Sequence, residues 1–260
     1  MANNTNSKTK DSTSDQKTTR AFKAILFDLD GTLLPLSLEA FLERYLNSMH
    51  DFFTEQGLDG KRETYNLMQA TNAMRDSEDI LNDEKFWSAY SELTQRSRKD
   101  YEPILDNYYR THFNAIGTEL VPSETMIQIV HALKRKGYPL AVATMPFFPE
   151  IAVHERLHWA GMDIDDFEFV THYETERALK PSTTFFADVC ARMNVDPHEV
   201  LMIGNNTLED GNAQSIGCTV YIVEDFIIEP ENALPKETFL HGSAKDLLEW
   251  VQDFPPYEPA

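Results

Sequence analysis

The sequence predicts an α/β fold, in which a doubly wound, Rossmann-like core with a parallel sheet carries an inserted all-helical cap domain. Three observations lead to this prediction. Short apolar runs rich in β-branched or aromatic residues recur along the chain, each too brief for a helix. Helical patterns alternate with the later runs, as in βαβ units. A long segment after the first run shows helical periodicity alone.

Five apolar runs predict the strands of the sheet. A continuous apolar strand is expected where both faces of a sheet are covered, as in parallel sheets. The five runs are “AILFDLD” (24–30), “PLAVAT” (139–144), “FEFVTH” (167–172), “VLMIGN” (200–205) and “TVYIVED” (219–225). Residues at helical spacing precede the second and fourth runs: Met126, Ile127, Val130 and Leu133, then Phe185, Phe186, Val189, Cys190 and Met193.

The segment between the first two runs predicts the cap. Ser37 is a suitable N-cap for a helix with an apolar stripe, made of Leu38, Phe41, Leu42, Tyr45, Leu46, Met49 and Phe53. Further helical patterns surround Tyr65, Phe86, Trp87, Tyr108 and Tyr109. The resulting domain boundaries are a disordered tail at 1–20, a core at 21–36 and 122–250, the cap at 37–121, and a C-terminal tail at 251–260.

Composition and charge exclude several classes of partner. The formal net charge of −20 provides no basic footprint for nucleic acid. The run 134–136 precedes Gly137 and is typical of a helix C-terminus. No run approaches the ~20 apolar residues of a membrane span, and residues 1–20 lack the apolar stretch of a signal peptide. Cys190 and Cys218 lie in apolar segments, which favours free thiols and a cytoplasmic location.

The end of the first run carries the strongest functional signal. Asp28 and Asp30 are two residues apart, and strand side chains alternate, so both carboxylates can face the same way. Two such carboxylates repel unless a cation lies between them or one stays protonated. Gly31 then allows a tight turn out of the strand. Asp-Gly also forms hairpin turns, but a helical pattern, not an alternating strand, follows Gly31.

Other strand ends carry weaker signals. Thr144 closes the second run and its hydroxyl can donate to a phosphate oxygen. Lys180 precedes Pro181, which suits the first turn of a helix, and the lysine could neutralise an anion. Glu209 and Asp210 come after the fourth run, where acids at a helix start favour the helix dipole without any function. Ligands of open α/β sheets bind beyond the carboxyl ends of the strands, so these positions predict one site.

The order of these residues resembles the haloacid dehalogenase superfamily, whose members are mostly magnesium-dependent phosphatases. The resemblance runs from about residue 22 to about residue 250. Four family motifs are matched, in order, by Asp28-x-Asp30-Gly31-Thr32, by Thr144, by Lys180-Pro181 and by Asp210. The helical insert occupies the place of the cap in one class of the superfamily. “GTLLPL”, “MPFFPEI” and “WAGMD” resemble a bacterial branch of it.

The resemblance implies a phosphohydrolase reaction. Asp28 would be the nucleophile that forms an aspartyl-phosphate, and Asp30 the general acid and base. Thr144 and Lys180 would bind the phosphoryl group and stabilise its charge. Mg²⁺ would be held by Asp28, the Asp30 carbonyl, Asn205 and Asp210. The expected partner is a small phosphate ester, since a cap of this size would obstruct a macromolecule.

Departures from the family pattern leave alternatives open. Asn205, followed by Asn206, stands where the family usually has an aspartate, which predicts weaker metal binding. Met145 stands where an asparagine is common. An attenuated family member that binds a phosphorylated ligand or a protein partner is therefore the alternative hypothesis. Asp30 disfavours a dehalogenase, because a halide leaving group needs no proton, whereas phosphomutases share all four motifs.

A second motif suggests a different function, that of a zinc protease. His154, Glu155 and His158 match H-E-x-x-H, the zinc-protease pattern. A zinc site needs a third protein ligand, and Ile164 occupies the position where the extended motif has a histidine. The apolar stripe of this helix is formed by Val153, Leu157 and Ala160. We interpret the match as coincidental.

Overall fold

The computed structural model describes residues 22–259 and contains a five-stranded parallel sheet. The strands are β1 (Ala24–Phe27), β2 (Leu140–Val142), β3 (Val200–Gly204), β4 (Thr219–Val223) and β5 (Leu240–Gly242). They lie in the order β2-β1-β3-β4-β5, and four of these five short strands are almost wholly buried. Ile25 of β1 lies opposite Leu140 on one side and Leu201 on the other.

Apolar side chains fill the space on both faces of the sheet, which confirms the doubly wound α/β class. Because strand side chains alternate, Phe27 and Ile203 enter one apolar cluster, while Leu26 and Met202 enter the other. The helices outside the insert are α5 (Glu124–Arg135), α6 (Glu150–Trp159), α7 (Thr183–Arg192) and α8 (Ala244–Gln252). Short 3₁₀ turns occupy Ile164–Asp166, Pro197–Glu199, Gly211–Ile216 and Lys236–Thr238.

The observed strands differ from the predicted ones at two places. Residues 167–172 do not form a strand, and only Val170 makes an isolated parallel bridge, to Val142. Three backbone hydrogen bonds join this segment to β2, one of them from Thr171 N to Val142 O (2.9 Å), but the pairing is too short to count as a ladder. The strand β5 was not predicted, because its sequence “LHG” has one apolar residue and is only half-buried.

Within the predicted insert, residues 37–121, the chain forms four α-helices and no strand, as the periodicity predicts. These are α1 (Leu38–Glu55), α2 (Gly60–Ala73), α3 (Asn82–Thr94) and α4 (Arg98–Thr111), followed by a 3₁₀ turn at Phe113–Gly117. Ser37 is the N-cap of α1, and its hydroxyl accepts from Ala40 N (3.5 Å). Most of the predicted stripe of α1 is buried, but Leu38 and Leu42 remain 41% and 38% exposed.

Aromatic packing and buried polar contacts join the insert to the core. The ring of Phe113 stacks on Trp159 of α6 at 5.0 Å, and Tyr45 of α1 meets Phe148 edge-on at 5.2 Å. On another side, Lys85 of α3 donates to Arg177 O (2.8 Å). The insert therefore lies against the polypeptide that follows β2, next to the carboxyl ends of the strands.

The residues after 250 differ from the predicted tail, because α8 continues to Gln252 and the chain then packs on the core. Phe254 is buried against Trp250 at 4.9 Å. Tyr257 N donates a hydrogen bond to Lys136 O (2.7 Å), and Lys136 Nζ donates one to Gln252 O (2.8 Å). The tail predicted at 1–20 lies outside the described residues. None of the helices within 22–259 is long and apolar enough to cross a membrane.

Candidate active site

The carboxyl ends of β1, β2 and β3 bring Asp28, Thr144 and Asn205 to one edge of the sheet. Asp28 N still donates to Ile203 O (2.8 Å), so the strand pairing positions the Asp28 backbone. Thr144 follows the end of β2 and is 1% exposed. This edge is the usual ligand position in a parallel α/β sheet. All three side chains border one cavity of about 550 Å³.

The turn after Asp28 depends on glycine. Gly31 has φ +79°, and a Cβ there would lie 2.2 Å from Asn205 Nδ2. Glycine adopts this left-handed conformation without penalty and leaves space for the amide. Thr32 Oγ1 donates to Asn205 Oδ1 (3.5 Å), and Asn205 Nδ2 donates to Phe226 O (2.7 Å). Asn205 therefore connects the β1 turn to the loop after β4.

Lys180 is the buried centre of the site. Its side chain is 1% exposed, and its Nζ donates to Asp28 Oδ1 (2.7 Å) and to Asp210 Oδ1 (2.6 Å). Burial works to lower the pKa of Lys180, but the carboxylates of Asp210 and Asp28 outweigh it and raise the pKa above its ordinary value. The ammonium group therefore stays charged between the two acids.

The electrostatics of Asp28 differ from those of an exposed acid. Burial raises the pKa of Asp28; Lys180 opposes the rise, and the carboxylates of Asp210 and Asp30 add to it. Burial and the neighbouring acids thus outweigh the effect of Lys180. A further cation beside Asp28 would favour its ionised form.

Asp210 holds both Lys180 and the loop after β3. Its Oδ2 accepts from Asn205 N (3.0 Å) and Asn206 N (2.9 Å). A Cβ on Gly204 would lie 2.2 Å from this carboxylate, so glycine is needed for the close approach. The sequence predicts that Asp210 begins a helix, whereas in the structure it precedes the 3₁₀ turn Gly211–Ile216. The hydrogen bonds from the two amides hold its carboxylate against the end of β3.

The local structure around Lys180 also differs from its prediction. Pro181 was predicted to lie in the first turn of a helix, but α7 begins at Thr183, with Ser182 as its N-cap. The Ser182 hydroxyl accepts from Thr184 N (3.1 Å), and the Lys180-Pro181 peptide bond is cis. Lys180 and Pro181 lie in a turn before α7, and the Lys180 side chain contacts Asp28 and Asp210.

Asp30 pairs with a residue that sequence reasoning missed. Arg156 on α6 is fully buried, and its Nη1 donates to Asp30 Oδ2. The guanidinium lies over the Phe148 ring, 4.5 Å from its centroid. Among the described residues, Arg156 Nε and Nη2 and Asp30 Oδ1 have no hydrogen-bond partner although they are buried. Each aspartate of the first motif thus has its own buried cation.

A signal for Arg156 was present in the sequence. Arg156 stands inside the segment that matches H-E-x-x-H, next to Leu157 and one helical turn from Val153 and Ala160 on the apolar stripe. A lone arginine on the apolar stripe of a scaffold helix must bury its charge, which requires an acidic partner. The charged residue of functional interest in this segment is therefore the arginine, not a histidine.

The two histidines of that segment have other partners. His154 Nε2 lies 3.8 Å from Glu150, and His158 Nδ1 lies 3.8 Å from Glu155. Glu155 also accepts from Trp159 Nε1 (2.9 Å). Within residues 22–259, no three His, Cys, Asp or Glu side chains are grouped to hold a metal ion. These side chains make local contacts along one face of α6.

Beyond the acids, the cavity extends between the core and the insert. Its walls combine residues from the turn before α1 and α1 itself, from the segment after β2, and from the loop after β4. Met145, one of the departures from the family pattern, lines it next to Thr144. The arrangement places two carboxylates, of Asp28 and Asp30, on a cavity that can hold a small molecule. The buried ammonium group of Lys180 lies within hydrogen-bond distance of Asp28.

Comparisons with known proteins agree with this geometry. Residues 22–210 match the family model described as haloacid dehalogenase-like hydrolase. The human haloacid dehalogenase-like hydrolase domain-containing protein 2 is 25% identical over 258 residues, covering 86% of this chain and 95% of its own.

Two solved structures share the fold. One is a phosphatase of the same superfamily from Thermococcus onnurineus, with a TM-score of 0.57, 22% identity and coverage of 90% of this chain and 100% of that chain. The other is the L-2-haloacid dehalogenase of Xanthobacter autotrophicus, with a TM-score of 0.52, 17% identity and coverage of 89% and 99%.

Proposed function

The chain belongs to the haloacid dehalogenase-like hydrolase family, and from this premise we propose that it is a Mg²⁺-dependent phosphohydrolase acting on a small phosphorylated metabolite. Asp28 is the nucleophile and Asp30 the general acid and base. Thr144 and Lys180 bind the phosphoryl group. The Thermococcus onnurineus phosphatase and the Xanthobacter autotrophicus dehalogenase both resemble this chain in fold, so the reaction has to be argued from the residues of the site.

One observation carries the proposal: Lys180 Nζ donates to Asp28, which lines the cavity, and to Asp210. A nucleophilic carboxylate that attacks a phosphoryl group must overcome the negative charge of its target. A fixed ammonium within hydrogen-bond distance of the nucleophile supplies positive charge where the phosphoryl oxygens would lie. The ion pair also fixes the rotamer of Asp28, so the attacking oxygen is oriented before the substrate binds.

The residues fit a magnesium ion. Among the described residues, the carboxylates of Asp28, Asp30 and Asp210 are paired with two cations, Lys180 and Arg156. Burial is the main cause of the raised pKa of Asp28, and the neighbouring acids add to it, so a cation bound beside Asp28 would favour its ionised form. Mg²⁺ takes one or two protein carboxylates and keeps several waters, so it does not need three convergent acidic side chains.

Asp28, the Asp30 carbonyl, Asn205 and Asp210 are the residues proposed to hold the ion. When bound there, Mg²⁺ would neutralise charge on the phosphoryl oxygens. Asp210 already accepts bonds from Lys180, Asn205 N and Asn206 N, which favours Asp28 as the main carboxylate ligand. Asn205 contributes no charge, and we expect weaker metal binding than an aspartate at this position would give.

The reaction then takes two steps. In the first, a carboxylate oxygen of Asp28 bonds to phosphorus, the ester P–O bond breaks, and the leaving oxygen takes a proton from Asp30. In the second, Asp30 accepts a proton from a water molecule, whose oxygen bonds to phosphorus and releases phosphate from Asp28. Covalent catalysis of this kind divides one difficult displacement into two easier ones. Arg156 orients the Asp30 carboxylate.

Asp30 also separates a phosphatase from a dehalogenase. Halide leaves as an anion and needs no proton, whereas an alkoxide leaving group is far more basic. A second carboxylate close to the nucleophile, held by a dedicated buried arginine, is required by the phosphate reaction alone. This residue therefore favours phosphate esters over carbon–halogen bonds.

A second candidate function is binding of a phosphorylated ligand without turnover. The ion pair with Arg156 occupies one oxygen of Asp30, and the neutral Asn205 replaces an acidic metal ligand. On this second hypothesis, both features would limit catalysis while Lys180 still attracts a phosphoryl group. The two candidates differ in whether bound phosphate ester is consumed.

The test is phosphate release from an aryl phosphate and from panels of sugar phosphates and nucleotides, with Mg²⁺ or with EDTA. The wild type and Asp28→Asn are compared, since asparagine keeps the size of the side chain but is a poor nucleophile. The proposal expects turnover that requires both Mg²⁺ and Asp28. Binding of a phosphonate without any turnover would favour the second candidate, and turnover that survives Asp28→Asn would reject the mechanism.

A further inference from the structure

The wall of the cavity opposite the strand ends is unusually apolar for solvent-facing surface. Leu38 and Leu42 of α1 line it with 41% and 38% of their surface exposed, and Phe226 lines it with 40% exposed. The half-buried rings of Phe147 and Phe148 complete this wall. Exposed apolar side chains that converge on one cavity mark a ligand site more often than a solvated surface.

Most polar side chains that line the cavity are already engaged. The Ser37 hydroxyl caps α1. The amide of Asn205 bonds Thr32 and Phe226 O, and Asn206 Oδ1 accepts from two backbone amides, of Leu208 (3.0 Å) and Glu209 (3.1 Å). A sugar bound here would place hydroxyl groups against leucine and phenylalanine, where unpaired hydroxyls are costly.

The charges of the wall disfavour a second anionic group on the ligand. Glu39 and Glu209 border the same cavity, beside the acids of the catalytic end. Arg75 is the one cation among the described residues that line the cavity, and its guanidinium lies over the Phe147 ring, 4.8 Å from the centroid. A flat cation on an aromatic ring offers a stacking surface. The wall therefore suits a flat apolar group better than a nucleotide.

From these contacts we infer that the cavity binds phosphate monoesters whose leaving group is aromatic or otherwise apolar, and that it discriminates against sugar phosphates and nucleotides. This inference rests on the proposed function, since it assigns the phosphoryl group to the end of the cavity at Asp28. Leu38 and Leu42 are its specificity-determining residues, because both present apolar surface from one face of α1.

The experiment measures binding, so it does not depend on turnover. Calorimetry in Mg²⁺ compares benzylphosphonate, a non-hydrolysable relative of phenyl phosphate, with methylphosphonate and with the phosphonate analogue of glucose 6-phosphate. The wild type should bind benzylphosphonate at least about tenfold more tightly than either, as expected for burial of a ring. Leu42→Asn should weaken benzylphosphonate binding about fivefold and leave methylphosphonate binding unchanged.

The matched control is Leu93→Asn, which changes an equally exposed helical leucine (43%) that does not line the cavity. It should leave all three affinities unchanged. Equal or tighter binding of the sugar phosphonate, or a Leu42→Asn protein that binds benzylphosphonate as the wild type does, would overturn the inference. Turnover assays run in parallel report separately on the proposed function, because a protein that never releases phosphate can still show the binding preference.

Discussion

Replacing Lys180 by methionine tests the buried ion pair at the centre of the site. Methionine keeps the length of the side chain but removes both bonds from Nζ, to Asp28 and Asp210. A hydrogen bond to a charged group contributes about 1.5–3 kcal/mol, and breaking a buried ion pair costs about 3–5 kcal/mol. Lys180 is 1% exposed, so solvent cannot replace the lost partner. We expect a loss of about 4 kcal/mol in the free energy of unfolding.

The assay is urea unfolding followed by tryptophan fluorescence, in EDTA so that no metal ion compensates the acids. The expected loss also corresponds to a fall of roughly 10 °C in Tm for a chain of this size. Lys134→Met is the control, because Lys134 forms an ion pair with Asp166 but is 38% exposed, and exposed pairs contribute about 1 kcal/mol or less.

A double variant sharpens the test. Lys180→Met combined with Asp210→Asn removes one of the two facing acids, so it should lose less stability than the two single variants together. A loss below about 1 kcal/mol in Lys180→Met, equal to that of the Lys134 control, would refute the reasoning that Lys180 stabilises two buried carboxylates.

Two further predictions concern α6. Arg156→Met should lower kcat for phosphate release about 10- to 100-fold, because Asp30 would be misplaced. The control is Arg192→Met, which removes an arginine over the Phe169 ring outside the site and should leave kcat unchanged. A higher kcat in Arg156→Met would show that the ion pair restrains Asp30 instead of orienting it. His154→Ala should leave phosphate release and metal content unchanged, and stoichiometric zinc that elemental analysis finds only in the wild type would revive the zinc-protease hypothesis.

Much of the fold could be predicted because burial on both faces of a parallel sheet leaves a simple signal. The runs at 24–30, 200–205 and 219–225 contain strands whose side chains are almost all apolar and buried. The run at 167–172 is more polar, with Glu168 exposed, and its backbone pairs with β2 at the edge of the sheet. The amino-acid composition of a segment predicts whether it is buried. The number of hydrogen bonds that the segment makes to a neighbouring strand depends on its path through the fold.

The residues of the site were predictable to different degrees. The strand ends bring Asp28, Thr144 and Asn205 together because parallel strands end at one edge, and the sequence contains that information. The sequence indicates that Arg156 is buried beside an acid, but its pairing with Asp30 depends on how α6 crosses this edge. The role of Leu42 could not be predicted either, since periodicity assigns it to the apolar stripe of α1, whereas the structure leaves it facing the cavity.

The most direct test of the central claim is to look for phosphate on Asp28. Wild-type protein is mixed with Mg²⁺ and an aryl phosphate, quenched in acid during turnover, and analysed by mass spectrometry of the intact chain and of its peptides. The account predicts the added mass of one phosphoryl group, located on Asp28 and absent from Asp28→Asn. Phosphate release with no such adduct, or with the adduct on another residue, would contradict the assignment of Asp28 as the nucleophile.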